Sequence, residues 1–554
     1  MKRESTQIDA LANDWVKALT EMFPSFATDI GANIGQDRLD DHSPEALAQE
    51  QAEIKKLVSQ LQGAEPADET DRVTKEAMLF SLQGEIENYD SGLAFRNLNN
   101  IASPAQGVRD VFDNSATDTE ADWENIASRM REVGKALDGY ARTLEQGADR
   151  NDAPALRQIE SAIAQAEQIT SSDGFFRTLA KEASAKSGDL SEGLKSDLAK
   201  AAEAATAGYA KFGEFLKQLA TRSTSPDAIG TDRYQILSRR FLGATIDLDE
   251  TYEWGKQELQ RIIDEQTEVA NQIKPGASVE EAVAELEKDP ATKLHGTQAL
   301  QRWMQQLSDE AIEKLGASHF DIAEPIRKLE CMIAPTQHGG IYYTGPTDDF
   351  SRPGRMWWSV PEGVTEFDTW RETTTVYHEG VPGHHLQIAQ ATYVRDQLND
   401  WRRLASWTSG HGEGWALYAE RLMDELGFLS TPADRLGMLD AQRMRAARVV
   451  LDIGVHTGKP RLDGTGNWDF DYALDFMMRN VNMSPEFVRF EVTRYFGWPG
   501  QAPAYKVGQR IWEQVRDEYR ERKGSEFDIK EFHRKALNLG GLSLDTLRSA
   551  MARA

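Results

Sequence analysis

Cysteine is nearly missing from this chain: Cys331 stands alone among 554 residues. A single thiol makes no internal disulfide, so a cross-linked scaffold is excluded and a reducing cytoplasm is compatible. The expected role of Cys331 is that of a small buried hydrophobe. Cations are also scarce, with 63 Lys and Arg against 90 Asp and Glu and a net charge of -27. That balance disfavours nucleic-acid binding, which needs clustered cations to displace counterions from phosphate, and disfavours adsorption to anionic membranes. No stretch approaches the ~20 apolar residues of a membrane span. The amino-terminal MKRESTQIDALANDW follows its basic start with no apolar run, so no signal peptide is expected and the expected location is cytoplasmic. Neither nucleic acid nor membrane is an expected partner, and the sequence is silent on oligomeric state. No fixed-period repeat is present, so a solenoid is not supported.

What is there suits a globular protein with a large core, as several domains or one extended helical one: 40% hydrophobic and 28% charged residues. From Thr6 to about Arg222 the pattern is of successive helices with polar breaks. In Glu192 to Thr221, residues Leu194, Leu198, Ala201, Ala205, Tyr209, Phe212, Leu216 and Leu219 recur at alternating threes and fours, the stripe of a core-facing helix. Asp122 to Leu144 and Asp152 to Ile169 read as two more helices with a short polar connection. The break STSPDAIGT at 223–231 divides an amino-terminal helical region, 1–230, from a carboxy-terminal region, 231–554, that carries the candidate site; one continuous domain is the alternative. Later helices are expected over Tyr252 to Ile273, from about Gly412 to Asp424, over Leu436 to Ile453 and from about Tyr505. Strand signals are few. IYYTGPTDDFSRPGRMWWSV, 341–360, reads as a hairpin or two short strands, placed to flank a cleft where an extended substrate adds as another strand.

The densest chemistry lies in YHEGVPGHHLQ, residues 377–387, where His378, Glu379, His384 and His385 crowd together. The zinc-peptidase pattern H-E-x-x-H works because ligands at i and i+4 share a helix face while the Glu is aimed at the zinc-bound water. That spacing is missing here. On an unbroken helix His384, at i+6, would point about 120° away from His378. His385, at i+7, faces the right way but lies about 10 Å further along the axis, beyond the reach of two Zn–N bonds of about 2.0–2.1 Å. Pro382 and Gly383 suggest the remedy: if Gly380 to Gly383 bulge as a two-residue insertion, His384 swings into the second ligand's place and His385 faces elsewhere. The bland alternative is a helix ending at Gly380, a Pro-Gly turn, and histidines that cap or pack.

Catalytic zinc takes three protein ligands and leaves a fourth position open. Glu413 is the leading third ligand, at the start of the next helix among glycines that let two helices approach closely. His411 and Glu420 are rivals; Glu420 is more simply an acceptor that orients a ligating histidine, or an ion-pair partner of Arg421. Glu379, beside a ligand, is the candidate general base, with a plain helix-face carboxylate as its alternative. Tyr505, with His456 behind it, is the candidate donor to an anionic tetrahedral intermediate. Arg352, Arg355, Arg445 and Arg448 are available to hold a substrate carboxylate, Arg448 slightly ahead, and Tyr343 joins Arg352 and Arg448 as a substrate-binding candidate.

HEGVPGHHLQ (378–387), EGWALYAE (413–420) and PGQAPAYKVG (499–508), in this order, resemble the bacterial family known as domain of unknown function 885. The Tyr-Tyr and Arg-Pro-Gly elements near 342 and 352 and IGVH at 453–456 add to the likeness, which covers most of the chain and is weakest before about residue 230. It specifies no substrate. More distantly, the chain is similar to the Taq-type zinc carboxypeptidases among the helical gluzincins. That similarity implies a mainly α fold, a large helical shell around a deep groove with a small β element, a zinc (Zn2+) cofactor, a glutamate ligand from a following helix and a late tyrosine, matched here by Tyr505. The departure is the two extra residues between Glu379 and His384. The expected function is a zinc-dependent metallopeptidase, a carboxypeptidase or dipeptidase on short peptides. The alternatives are a metal-dependent hydrolase of another amide or ester, and a non-catalytic peptide-binding protein with a degenerate metal site.

Overall fold

Helix starts follow the side-chain oxygens that can cap them. In the computed structural model, which describes residues 3–186, 188–334 and 340–554, Thr119 and Asp122 form a reciprocal capping box at the head of the Glu120–Asp149 helix. Ser191 accepts from the Leu194 amide at the head of Glu192–Arg222. Thr431 does the same for Pro432–His456, with proline at the first turn. Of the described residues 67% are helical, with 22 α-helices among them. Every stripe residue from Leu194 to Leu219 is buried. A Cβ on Gly208 would lie 2.9 Å from the Cα of Gly134, so this glycine pair lets the two longest helices of that region cross at backbone contact.

Apolar side chains condense into two cores. The smaller gathers Leu98 to Leu219, chiefly from Glu120–Asp149, Leu156–Ile169 and Glu192–Arg222. The larger joins the amino-terminal helices Gln7–Met22, Pro44–Gly63 and Glu69–Asp90 to side chains from Tyr234 to Met551. The polar break at 223–231 therefore lies between the last side chain of the smaller core and Tyr234 of the larger. The three amino-terminal helices bury their apolar faces in the larger core, while polar contacts such as Arg129 with the Arg38 carbonyl and Thr143 with the His42 carbonyl tie the segment between them to the helices that follow.

The β content sits beside the motif. Ile341–Thr344 and Gly354–Trp358 run antiparallel, with Ile341 opposite Trp358 and Thr344 opposite Arg355. Leu329–Ile333 adds in parallel to the far side of Gly354–Trp358, which leaves Ile341–Thr344 at an edge. A second pair, Lys293–His295 with Glu366–Asp368, leads directly into the Thr369–Glu379 helix. Leu329–Ile333 and the short pair carry no strand signal in the sequence, because so brief a run shows no period that separates strand from helix. Cys331 lies buried in the first of these strands, and burial pushes its thiol up to about 12. The Pro432–His456 helix runs past Ile453 through Gly454. That glycine serves close approach rather than chain reversal: a Cβ there would lie 2.7 Å from the Trp468 indole nitrogen.

Candidate metal centre

The Thr369–Glu379 helix stops at Glu379, and the next begins at His384 and runs to Tyr393. Between them the chain turns without losing its ties. Gly380 N–H donates to the Val376 carbonyl at 2.9 Å and Gly383 N–H to that of Tyr377 at 3.1 Å. A Cβ on Gly383 would fall 1.8 Å from the His378 carbonyl oxygen, so the corner admits only glycine. The Val381–Pro382 peptide is cis. Trp415 Nε1–H donates to the carbonyls of Pro382 at 2.8 Å and Gly383 at 3.2 Å, which supplies partners to acceptors that the interrupted helix leaves buried. Across this turn the His378 and His384 rings stand 4.9 Å apart at 89°.

Glu413 reaches the same point from the Ser409–Glu425 helix. Its Oε2 lies 3.4 Å from His378 Nε2 and 3.6 Å from His384 Nε2. Donor atoms of the three residues all fall within 4.8 Å of one another. A tetrahedral zinc with bonds of about 2.0–2.1 Å keeps its ligands about 3.3 Å apart, so two imidazoles and a carboxylate at this spacing suit that ion. Glycine again sets the approach. A Cβ on Gly414 would lie 2.4 Å from the Gly508 carbonyl carbon, and one on Gly508 would lie 2.3 Å from the Gly410 oxygen, so the Ser409–Glu425 and Ala504–Lys523 helices touch backbone to backbone. Tyr505, in the first turn of the latter, is brought close enough for the Glu413 charge to act on it; burial first, then that charge, raises the Tyr505 pKa.

Behind the ligands runs a buried polar chain. His378 Nδ1–H donates to Glu420 Oε1 at 2.8 Å, and Glu420 Oε2 accepts from Gln442 Nε2 at 3.2 Å. Gln442 Oε1 accepts from Lys506 Nζ at 2.6 Å, and Lys506 pairs with Glu258 at 2.9 Å. Burial opposes a charge on His378, but Glu413 and Glu420 on its two sides outweigh that and raise its pKa to about 10. The same pairing holds Glu413 well below the carboxylate range against its own burial. Burial pushes the Glu379 carboxyl up, with the charges of His384, His378 and Arg445 opposing. Arg421 pairs with Glu265 at 2.9 Å, so Glu420 serves His378 rather than its sequence neighbour.

Other candidates from the sequence are engaged elsewhere. His385 Nε2–H donates to the Ile326 carbonyl at 2.7 Å, and its Nδ1 accepts from the Tyr343 hydroxyl at 2.9 Å. Tyr343 therefore braces His385. Arg352 bonds the carbonyls of Pro353 and Gly345 within its own turn, and Arg355 bonds Glu330 at 2.7 Å. Arg448 donates to Tyr495 Oη at 2.7 Å and Glu491 at 2.9 Å, with its guanidinium 5.3 Å from the Tyr505 ring centre. His456 does not join the metal-site cluster. Its Nε2–H donates to the Tyr495 carbonyl at 3.0 Å and its ring stacks on Tyr234, while Asp452 accepts from the Tyr234 hydroxyl and the Gly500 amide. This group secures the turn that carries Tyr505. His411 is buried, which pushes its pKa down to about 3, and its Nδ1 lies 3.4 Å from Gln387 Nε2. Trp415, Gln442 and Lys506 were not singled out from the sequence. Trp415 lies inside EGWALYAE and Lys506 inside PGQAPAYKVG, but neither an indole nor a lone lysine gives a spacing clue, and Gln442 lies on a helix outside the motifs.

Residues 24–551 match the family described as "Bacterial protein of unknown function (DUF885)". The chain belongs to DUF885. In structure this DUF885 protein resembles a chain titled "putative lipoprotein" from Colwellia psychrerythraea, with a TM-score of 0.84, 23% identity, and coverage of 99% of this chain and 98% of that one. A second chain so titled, from Shewanella oneidensis and of unknown function, gives 0.76 and 17%, covering 99% and 100%. A carboxypeptidase of Pyrococcus furiosus gives 0.43 and 12%, covering 99% and 96%. No curated protein matches the chain significantly. Among the described residues no helix is long and apolar enough to cross a membrane.

Proposed function

We propose that this DUF885 protein is a zinc-dependent metallopeptidase acting on short peptides with a free carboxy terminus, as a carboxypeptidase or dipeptidase. The observation that carries the reading is the convergence of His378, His384 and Glu413 at zinc spacing, with Glu379 buried beside the first ligand. Zinc held by these residues supplies Lewis acidity and lowers the pKa of a coordinated water to about 7. Glu379, its carboxyl pushed up by burial, takes a proton from the attacking water and returns it to the leaving amine. Tyr505 donates to the oxyanion that develops on the substrate carbonyl. Arg445 is the cation we assign to the substrate carboxylate. Its charge acts on Glu379, Glu420 and Tyr505, its side chain bonds the Ala441 carbonyl, and its buried Nε has no partner. No carboxylate pairs with it among the described residues, whereas Arg448 is committed to Glu491. The Ile341–Thr344 edge offers main-chain partners to an extended peptide.

The test is metal analysis of protein purified without chelator, followed by assays on peptides with free and amidated carboxy termini. About one zinc per chain is expected, with cleavage of the free acids. Glu379→Gln should keep the zinc and lose turnover by about 10²–10⁴. Bound zinc with turnover of non-peptide amides or esters alone moves the reading to the other hydrolase class. No metal with peptide binding intact replaces it with a peptide-binding protein. The proposed cytoplasmic location rests on composition alone, one cysteine and a net charge of -27; cell fractionation that finds the full chain in the envelope overturns it.

A further inference from the structure

His378 and His384 are held differently. His378 donates its second ring N–H to Glu420, whereas His384 Nδ1 is buried with no partner. Metal-ligating histidines almost always donate that second N–H, because the bond fixes both tautomer and ring orientation. The acceptor for His384 has to come from its surroundings.

Gln387, which closes the motif, lies three residues further along the same helix and therefore on the same face, with Cβ atoms about 5–6 Å apart. Its Nε2 lies 3.4 Å from the His411 carbonyl oxygen and 3.4 Å from His411 Nδ1. A carbonyl only accepts, so the nitrogen end of the amide belongs on the His411 side and Oε1 is turned away from it. That oxygen is buried and has no partner either. His411 is itself anchored, since its carbonyl also accepts from Trp512 Nε1 at 3.0 Å. An unpaired donor and an unpaired acceptor thus share one buried helix face, with His384 and Gln387 each less than one-tenth exposed.

We propose that Gln387 is the positioning residue for His384, accepting the Nδ1–H bond directly after a side-chain rotation or through one buried water, so that Nε2 is presented to the metal. The inference rests on the metal reading of the site. A neutral amide suffices at this place, because only a hydrogen-bond acceptor is needed and Glu379, Glu413 and Glu420 already supply negative charge around the centre.

The test uses the full chain with Gln387→Ala, the size-matched Gln387→Met and the conservative Gln387→Glu, and reads zinc affinity by chelator competition. Loss of the acceptor should weaken zinc about 10–100-fold in Ala and Met, with Glu restoring it. Unchanged affinity in a folded Met variant overturns the proposal even if Ala unfolds. A second readout needs no metal. Imidazole nitrogen spectra of the metal-free, 15N-histidine-labelled protein should show His384 as the Nδ1–H tautomer in wild type and as a mixture in the Met variant; the same spectrum in both overturns the hydrogen bond. A wild type that binds no zinc defeats the metal reading instead, while the spectra still decide the Gln387 bond.

Discussion

Between Leu98 and Leu219 the smaller core buries side chains that are almost all apolar. Arg129 is the one charged residue sealed there among the described residues, and it is satisfied by the Arg38 carbonyl and the hydroxyls of Ser115 and Thr28. In the larger core His378, Glu379, Glu420, Arg448, Asp452, Glu491 and Lys506 are all less than one-tenth exposed. A buried charge is costly unless it is paired and hydrogen-bonded, and the larger core meets that requirement through chains such as His378, Glu420, Gln442, Lys506 and Glu258. The contrast separates a part of the molecule held almost entirely by apolar contacts from one that buries paired charges, the candidate metal centre among them.

The contrast predicts that stability and zinc binding respond independently to changes in the smaller core and together in the larger. Leu198→Ala, in the smaller core, should cost about 2–5 kcal/mol of stability. Denaturant titration checks the loss, and zinc affinity should not change; a weaker zinc site would break the comparison. Gly414→Ala forces a Cβ to 2.4 Å from the Gly508 carbonyl carbon. The helices must separate, at about 1–3 kcal/mol, and because Glu413 is the adjacent residue, melting temperature and zinc affinity should fall together.

Smaller effects sharpen the contrast. Glu420→Ala should weaken zinc about 10–100-fold by freeing the His378 ring, with the smaller core's hydrogen-exchange protection unchanged. The last expectation concerns pH. Raised by Glu413 and Glu420 against its burial, the His378 pKa of about 10 contributes stability to the metal-free protein. That contribution is fully present below the unfolded value of about 6.5 and is lost as pH rises through the folded one. Zinc displaces this proton, so its affinity rises over the same window. The melting-temperature gap between zinc-loaded and metal-free protein should widen from pH 6.5 towards 10; a gap that narrows contradicts the assignment.

Much of the smaller core was legible because an apolar stripe on a helix is a local pattern, as Leu194 to Leu219 illustrate. The site was legible in part. Histidine, glutamate and a Pro-Gly corner suggest a metal centre by type, and His378, His384 and Glu413, the last chosen for its place at the start of the next helix, do come together. Leu329–Ile333 escaped because five residues are too few to show a period. His456 drew attention as an imidazole in a motif, yet its surroundings make it a brace for Tyr495.

By itself the sequence determined where helices begin, which of their faces are apolar, and which residue types are available to hold a metal, since capping, periodicity and composition act over a few residues. Tertiary structure alone decided the partners: Glu420 rather than another acid for His378, Glu491 for Arg448, no acid among the described residues for Arg445, and the Trp415 indole across the motif turn. Those choices depend on which surfaces meet, and where Gly410, Gly414 and Gly508 let two backbones touch, the meeting is settled by groups more than ninety residues apart in the chain.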